Sequence, residues 1–109
     1  MNFYVGEISE IDIKGYNVLF DEDLFEYLYK LQGSRKNQMK ILLEIDPYDD
    51  VIIFQENIEE IIKACTYVLD FGLLENYKKR EEGICTMQEM IHISELALAQ
   101  KKPLVSIGD

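Results

Sequence analysis

The spacing of apolar residues between Asn57 and Leu69 constrains the fold of this 109-residue chain more than any other feature. Large apolar side chains recur there every three or four residues, which predicts an amphipathic helix with one buried face. The positions predicted to be buried are Ile58, Ile61, Ile62, Cys65, Val68 and Leu69. On the opposite face, Glu59 and Lys63 are four residues apart in the order that favours an ion pair. The chain must supply other elements that cover the apolar face of this helix.

Two further helices are predicted between Asp21 and Pro47. Asp21 can accept hydrogen bonds from the first amides of a helix, leucines follow at positions 24, 28 and 31, and Gly33 is a typical helix end. Ser34 can cap the second helix in the same way. Residues 35–45 are compatible with a helix or a strand because their apolar residues fit both spacings. We favour the helix, which must end before Pro47.

The segment after Leu69 predicts an interruption and then a shorter helix. Gly72 ends the preceding helix, and a short piece runs from Leu73 to Arg80. We interpret its basic residues, Lys78 to Arg80, as a solvated helix end. Gly83 is expected to break the chain.

A last helix is predicted to begin at Thr86. Thr86 and Glu89 have the spacing of a capping box, in which each side chain bonds the backbone amide of the other residue. The residues predicted to face inward are Met87, Met90, Ile91, Ser94, Ala97 and Leu98. Lys101 and Lys102 suit the negative end of the helix dipole, and Pro103 stops the helix.

Extended segments are predicted near both ends of the chain and in its middle. Phe3 and Val5 begin a strand pattern that continues through isoleucines at positions 8, 11 and 13 to Gly15. The other extended segments are Val18–Phe20, Val51–Phe54 and Leu104–Ile107. No linker or repeat divides the sequence. We therefore predict an α+β fold, a helix-rich single domain over residues 1–109 with a small sheet from the terminal segments.

The charge of the chain limits the partners that it can bind. The sequence has 21 acidic and 11 basic residues and a net charge of −10. Binding to a phosphate backbone needs clustered lysine and arginine, so direct binding to nucleic acid is not expected. The acidic excess lies mainly towards the two ends of the chain. If the ends meet in space, one face of the protein becomes strongly negative.

The sequence also predicts a cytoplasmic protein that does not bind membranes. Its longest apolar runs, such as Val51–Phe54, are far shorter than the roughly 20 residues of a membrane span. The first residues lack the basic and apolar regions of a signal peptide. Cys65 and Cys85 have no neighbouring cysteine at the spacing of a metal or redox motif, which suits reduced thiols.

Two groupings that could carry chemistry are interpreted as structural. A thiol paired with His92 is one, but Cys65 lies on an apolar stripe, and Cys85 is seven residues from His92 across a predicted helix start. The acidic turn at residues 46–50 is the other, and its spacing does not fit a calcium loop. Aspartates are common in turns because they accept backbone amides. We therefore expect no catalytic residue, no cofactor and no metal.

Acidic residues interleaved with tyrosines form the third grouping, a candidate surface for a basic protein partner. Tyrosine offers a large contact area with a polar tip, and carboxylates pair with arginine. The residues predicted to bind the partner are Asp21, Asp23, Glu26, Tyr27, Tyr48, Asp49 and Asp50, with Glu22 and Tyr29 beside them. A solvated acidic surface that only keeps the protein soluble remains an equal alternative.

One segment resembles small bacterial immunity proteins. In residues 42–54 the run Ile45-Asp46-Pro47-Tyr48 ends a predicted helix, and a second helix follows around residues 58–62. Immunity proteins of polymorphic-toxin and contact-dependent growth inhibition systems have a similar arrangement, often with glycine where Asp49 stands. The closing residues 102–109 are similar to the tails of such proteins. The resemblance covers about a fifth of the chain, and it implies protection of a cell from a toxin.

The resemblance and the charge lead to one expectation and three alternatives. Toxins of these systems are often nucleases with a basic cleft, and an acidic protein can occupy such a cleft by matching the charge of the phosphates. We expect a non-enzymatic inhibitor of a cognate toxin. The alternatives are a phage-encoded nucleic-acid mimic that inhibits a defence nuclease, a small enzyme that uses His92 or the carboxylates, and a structural adaptor that forms a homo-oligomer.

Overall fold

The computed structural model describes residues 1–108, apart from the side chain of Ser34. The strands are β1 (Asn2–Val5), β2 (Val18–Leu19), β3 (Val51–Ile53) and β4 (Leu104–Ile107). The helices are α1 (Glu22–Leu31), α2 (Lys36–Leu43), α3 (Gln55–Asp70) and α4 (Arg80–Gln100), and short 3-10 helices lie at Ile8–Glu10 and Gly33–Arg35. The predicted helix-rich α+β domain is confirmed.

The strands form one antiparallel sheet in the order β2-β1-β4-β3. β1 pairs with β4 from Asn2 opposite Ile107 to Val5 opposite Leu104. The two terminal segments therefore share the sheet, as predicted, and the chain ends meet. Phe3 and Leu104 point from this sheet into the core, where both are fully buried.

The segment between β1 and β2 contacts the opposite face of the sheet. The Tyr4 hydroxyl donates a hydrogen bond to the carbonyl oxygen of Ile13 at 3.3 Å. The prediction that the chain stays extended from Ile8 to Ile13 is wrong, because a 3-10 helix begins at Ile8. The Glu10 carboxylate accepts a hydrogen bond from the amide of Glu7 at 2.9 Å. Local side-chain bonds of this kind compete with strand pairing and explain the difference.

α1 and α2 confirm the helices predicted for this part of the chain. The Asp21 carboxylate accepts a hydrogen bond from the amide of Asp23 at 3.1 Å, so Asp21 caps α1 as predicted. Gly33 follows α1 with a φ of +38°, a conformation that favours glycine. α2 settles the choice between helix and strand in favour of the helix, with Arg35 at its N-cap position. The predicted cap by Ser34 concerns a side chain outside the described part of the structure.

α3 packs against α4 in the centre of the core. The fully buried residues of α3 are Ile58, Ile61, Ala64, Cys65 and Val68. Ile62 and Leu69, which were also predicted to be buried, are half-buried at the margin of this face. Lys63 pairs with Glu60 at 3.3 Å instead of the predicted Glu59. The predicted helix and its apolar face are confirmed.

The predictions for residues 73–89 need two corrections. Residues 71–79 form successive turns instead of a short helix, and α4 begins at Arg80. α4 then continues through Gly83 without a break. Thr86 lies inside this helix, where its hydroxyl donates a hydrogen bond to the carbonyl oxygen of Glu82 at 3.0 Å. The predicted capping box therefore does not form.

Close packing explains why a glycine stands inside α4. A Cβ atom at Gly83 would lie 3.2 Å from Cδ2 of Tyr77 and 3.3 Å from Cδ1 of Leu74. Glycine costs a helix about 1 kcal/mol relative to alanine, and here it lets the turns of residues 71–79 pack directly on the helix. Gly83, which was predicted to break the chain, instead permits close packing within a continuous helix.

The remainder of α4 follows the prediction. Four of the residues predicted to face inward are fully buried, namely Met87, Met90, Ser94 and Ala97. Ile91 and Leu98 are half-buried. The helix ends at a left-handed residue, Lys101, shortly before Pro103. No helix in the described chain combines the length and the apolar character needed to cross a membrane.

Candidate partner-binding surface

The first turn of α1 and the turn that follows α2 meet at the surface of the protein. The Tyr48 hydroxyl donates a hydrogen bond to Oε1 of Glu22 at 3.3 Å, although the two residues are 26 positions apart. We call this exposed surface the Tyr48 corner. It consists of Glu22, Glu26, Asp46, Tyr48, Asp49 and Asp50.

Hydrogen bonds from backbone amides to two aspartate side chains hold the turn of the Tyr48 corner in place. Oδ1 of Asp46 accepts a hydrogen bond from the amide of Tyr48 at 2.9 Å. Oδ1 of Asp50 accepts one from the amide of Gly108 at 3.1 Å. A Cβ atom at Gly108 would lie closer than 3 Å to backbone atoms of Tyr48 and Asp49. The end of β4 therefore supports the turn from behind, and it can do so because residue 108 is glycine.

The Tyr48 corner is negative and exposed. The Tyr48 side chain is 66% exposed, and the charge of Glu22 is the main cause that raises its pKa, with smaller contributions from Glu26 and Asp46. These carboxylates therefore act together on one phenol group. Within residues 1–108, no lysine or arginine forms an ion pair with any carboxylate of the corner.

Two other predicted acids lie on a neighbouring surface, where cations neutralise them. Lys79 Nζ is 3.5 Å from Oδ2 of Asp23 and 3.8 Å from Oδ2 of Asp21. Lys78 Nζ is 3.8 Å from the same oxygen of Asp23. The Asp21 charge, followed by that of Asp23, raises the pKa of Lys79. We call this surface the Lys79 junction, which consists of Asp21, Asp23, Tyr27, Tyr77, Lys78 and Lys79.

The Lys79 junction corrects our interpretation of the basic cluster. Lys78 to Arg80 were predicted as the solvated end of a short helix. All three are exposed, but they lie at the start of a helix, because α4 begins with Arg80. Cations are unfavourable at the N-terminus of a helix because of the helix dipole. Asp21 and Asp23, at the start of α1, supply compensating negative charge, as do Glu81 and Glu82 in the first turn of α4 itself.

Tyr27 belongs to the Lys79 junction, and part of its side chain makes contacts within the protein. Its hydroxyl donates a hydrogen bond to the carbonyl oxygen of Leu73 at 3.0 Å, and its ring lies 4.8 Å from that of Tyr77. Beside these rings is an open depression of about 320 Å³, lined also by Asp23, Glu26, Lys30 and Lys78, so Glu26 of the corner also borders the junction. Tyr27 thus joins α1 to the turns of residues 71–79 and presents only part of its surface to a partner.

The structure divides the predicted binding residues into two groups. Glu26, Tyr48, Asp49 and Asp50 lie in the Tyr48 corner, whereas Asp21, Asp23 and Tyr27 lie in the Lys79 junction. Sequence reasoning missed three contributors. Glu22 was named only as a neighbour, the pairing of Lys79 with Asp21 and Asp23 was not predicted, and Gly108 was not considered.

The cysteines and the histidine lie in places that disfavour a reactive thiol. Cys65 is fully buried, and burial raises its pKa to about 12. The exposed Cys85 donates a hydrogen bond to Oε1 of Glu89 at 3.3 Å, and this bond raises its pKa. Because α4 is continuous, His92 lies about 10 Å along the helix from Cys85. The centroid of its ring lies 6.3 Å from that of Tyr16.

The described residues contain no group of three histidine, cysteine or acidic side chains that could hold a metal ion. The acidic turn at residues 46–50 is instead held by the hydrogen bonds given above.

No protein-family model, curated protein or solved structure matches the chain.

Proposed function

We propose that the protein is a cytoplasmic immunity protein that binds a cognate bacterial toxin and blocks its active site or an adjacent surface. The toxin is a nuclease with a basic cleft, and the Tyr48 corner enters that cleft. The protein acts by binding alone and needs no catalytic residue or cofactor. The resemblance to immunity proteins and the geometry of the Tyr48 corner support the proposal.

The observation that carries the proposal is the set of exposed carboxylates at the Tyr48 corner that form no ion pair with a lysine or arginine of residues 1–108. Glu22 and Glu26 come from α1, and Asp46, Asp49 and Asp50 come from the turn before β3. Exposed charges of one sign attract a partner of the opposite sign and raise association rates by about 10- to 1,000-fold. A nuclease cleft, which must bind phosphates, offers that opposite charge.

The structure of the corner also favours tight binding because much of it is already ordered. Hydrogen bonds to Asp46 and Asp50 fix the turn, and the bond to Glu22 restrains the Tyr48 side chain. An ordered surface loses less conformational entropy when it binds. Tyrosine is enriched among residues that dominate binding energy, so we assign Tyr48 as the central contact and the surrounding carboxylates as its charged rim.

The test is toxin neutralisation by charge variants of equal net charge. The corner variant carries Glu22→Gln, Glu26→Gln and Asp49→Asn, which spares the two aspartates that hold the turn. The matched control carries Glu59→Gln, Asp70→Asn and Glu95→Gln, three exposed acids that form no ion pair with the described residues. Each chain is co-expressed with the product of the adjacent upstream gene, and growth and the association rate are measured.

The wild-type chain and the control should restore growth, and the corner variant should associate at least about tenfold more slowly at low salt. The difference should shrink as added salt screens the charges. Equal neutralisation by the corner variant and the control at moderate salt would show that the corner is not the binding surface. Failure of the wild-type chain to bind the toxin would contradict the immunity function itself.

A further inference from the structure

β3 is an open edge of the sheet. It pairs with β4 on one side, and no strand of residues 1–108 pairs with it on the other. The amide of Gly6 donates a hydrogen bond to the carbonyl oxygen of Pro103 at 3.0 Å, which marks these two as a hydrogen-bonded pair. Such pairs alternate along antiparallel strands. Leu104 and Ser106 therefore direct their backbone groups away from β1 and towards β3.

The same alternation fixes which groups of β3 are free. Ile53 lies opposite Leu104 and Val51 lies opposite Ser106, so these residues bond to β4. Ile52 lies between them, and its N–H and C=O consequently point away from the sheet. The Ile52 side chain is 39% exposed. An unpaired strand edge of this kind is a template for another strand.

An apolar groove lies beside this edge, between α2 and α3. Its volume is about 140 Å³, and its lining includes Ile41, Ile45, Ile53 and Ile61. A cavity of about 150 Å³ lined by aliphatic and aromatic side chains holds a benzene ring, so the groove has room for one apolar side chain. In an added strand every second side chain would point to the groove side of the sheet.

One carboxylate lines the groove and two more directly precede β3, and these charges define the chemistry of the occupant. Glu44 lines it, with Lys40 as an exposed partner at 4.0 Å. Asp49 and Asp50 directly precede β3 and are exposed. A second copy of this chain would bring the same carboxylates to the contact and a net charge of −10 to the complex, which opposes pairing between two copies. A basic extended segment matches both the edge and the charge.

The geometry points to an extended segment of the partner that adds to β3 as a new edge strand. This segment bonds the free N–H and C=O of Ile52, places an apolar side chain in the groove and sets a lysine or arginine beside Glu44. The inference rests on the proposed function only for the identity of the partner, the toxin. The edge is continuous with the Tyr48 corner through Asp49 and Asp50, so one partner can contact both.

The first test replaces the free N–H. Ile52→Pro removes a donor that the sheet does not use, and proline is tolerated at such edge positions. Ile52→Val is the control, because it keeps the N–H. Urea unfolding verifies that both variants fold. Binding to the purified toxin should weaken about tenfold or more in the proline variant and less than about twofold in the control. Equal affinities overturn the edge inference and leave the immunity function standing.

The second test does not need the toxin. The probes are a five-residue peptide that alternates lysine and isoleucine and a matched peptide with glutamate in place of lysine. In an NMR titration the basic peptide should shift the amide signals of Ile52 and Ile53, the acidic peptide should not, and Glu44→Lys should weaken the shift. This result stands even if the toxin does not bind, which would contradict only the proposed function. Equal shifts with both peptides, or no shift with either, overturn the inference.

Sedimentation of the wild-type chain and the Ile52→Pro variant tests whether a second copy of the chain pairs with β3. Both should sediment as monomers at the concentrations of the titration. A wild-type dimer that the proline variant does not form would assign the edge to a second copy, and would overturn the basic partner.

Discussion

The Tyr48 corner and the Lys79 junction both draw carboxylates from the start of α1, yet they differ in how those charges are used. At the junction, Asp21 and Asp23 pair with lysines that precede α4. At the corner, Glu22 and Glu26 form no ion pair with the residues that the structure describes. Neighbouring acids at the start of one helix therefore have two roles: some join α1 to another part of the fold, and others leave their charge available on the surface.

Helix geometry explains the separation. Residues four positions apart on a helix share a face. Glu22 and Glu26 share one face, which meets the turn containing Tyr48. Asp23 and Tyr27 share the next face, which meets residues 71–79. Variants of the junction should therefore change the stability of the protein, whereas variants of the corner should change its electrostatics and its binding.

The largest expected effect is at Gly83, whose close packing holds the junction turns against α4. In Gly83→Val the added atoms collide with Tyr77 and Leu74, and overpacking of this kind costs about 2 kcal/mol. Urea unfolding measures the loss. Gln88→Val, at an exposed position of the same helix, should change the free energy of unfolding by less than about 0.5 kcal/mol. Equal losses in both variants would show that the junction does not depend on the close contact at Gly83.

The second effect is at Tyr27, which ties α1 to the same turns. Tyr27→Phe removes the hydroxyl that donates to the carbonyl oxygen of Leu73, and the expected cost is about 1 kcal/mol, or roughly 5 °C in the midpoint of thermal unfolding. Tyr29→Phe is the matched control because Tyr29 is 56% exposed. Calorimetry should show no shift for the control. A similar shift in both variants would remove the distinction between a structural and an exposed tyrosine.

Much of the fold could be predicted because the responsible signals are local. The apolar stripe of α3 and the aspartate cap of α1 each act within a few residues, so sequence spacing reveals them. The prediction of a break at Gly83 was wrong because a glycine is found both where a helix ends and where a helix packs closely against another element. Glycine weakens a helix, but it also permits close approach, and only the position of Tyr77 decides between them.

The division of the candidate site could be predicted only in part. The four-residue spacing of Glu22 and Glu26 places them on one helix face from sequence alone. The hydrogen bonds that form the Tyr48 corner join residues that are distant in the sequence, namely Tyr48 with Glu22 and Asp50 with Gly108. Lys79 was misjudged for the same reason, because its partners lie more than fifty positions earlier in the chain.

The smallest effect, and the most direct test of the corner, is the titration of Tyr48. The charge of Glu22 is the main cause that raises the pKa of Tyr48, so Glu22→Gln should lower that pKa towards the ordinary value of about 10. Glu75→Gln should leave it unchanged, because Glu75 is not among the carboxylates that act on Tyr48. NMR of ring-labelled tyrosine follows the titration, and Tyr48→Phe identifies the signal.

The sign of the shift also fixes its effect on stability. A raised pKa means that the folded state favours the neutral phenol, so this contribution is fully present below about pH 10, the unfolded value. It is lost as the pH rises through the higher folded value, because the phenolate then faces the carboxylates of the corner. The wild-type chain should therefore lose more stability than Glu22→Gln above pH 10. An unchanged Tyr48 pKa in Glu22→Gln would mean that the two groups do not interact in solution, and the corner would lose its central contact.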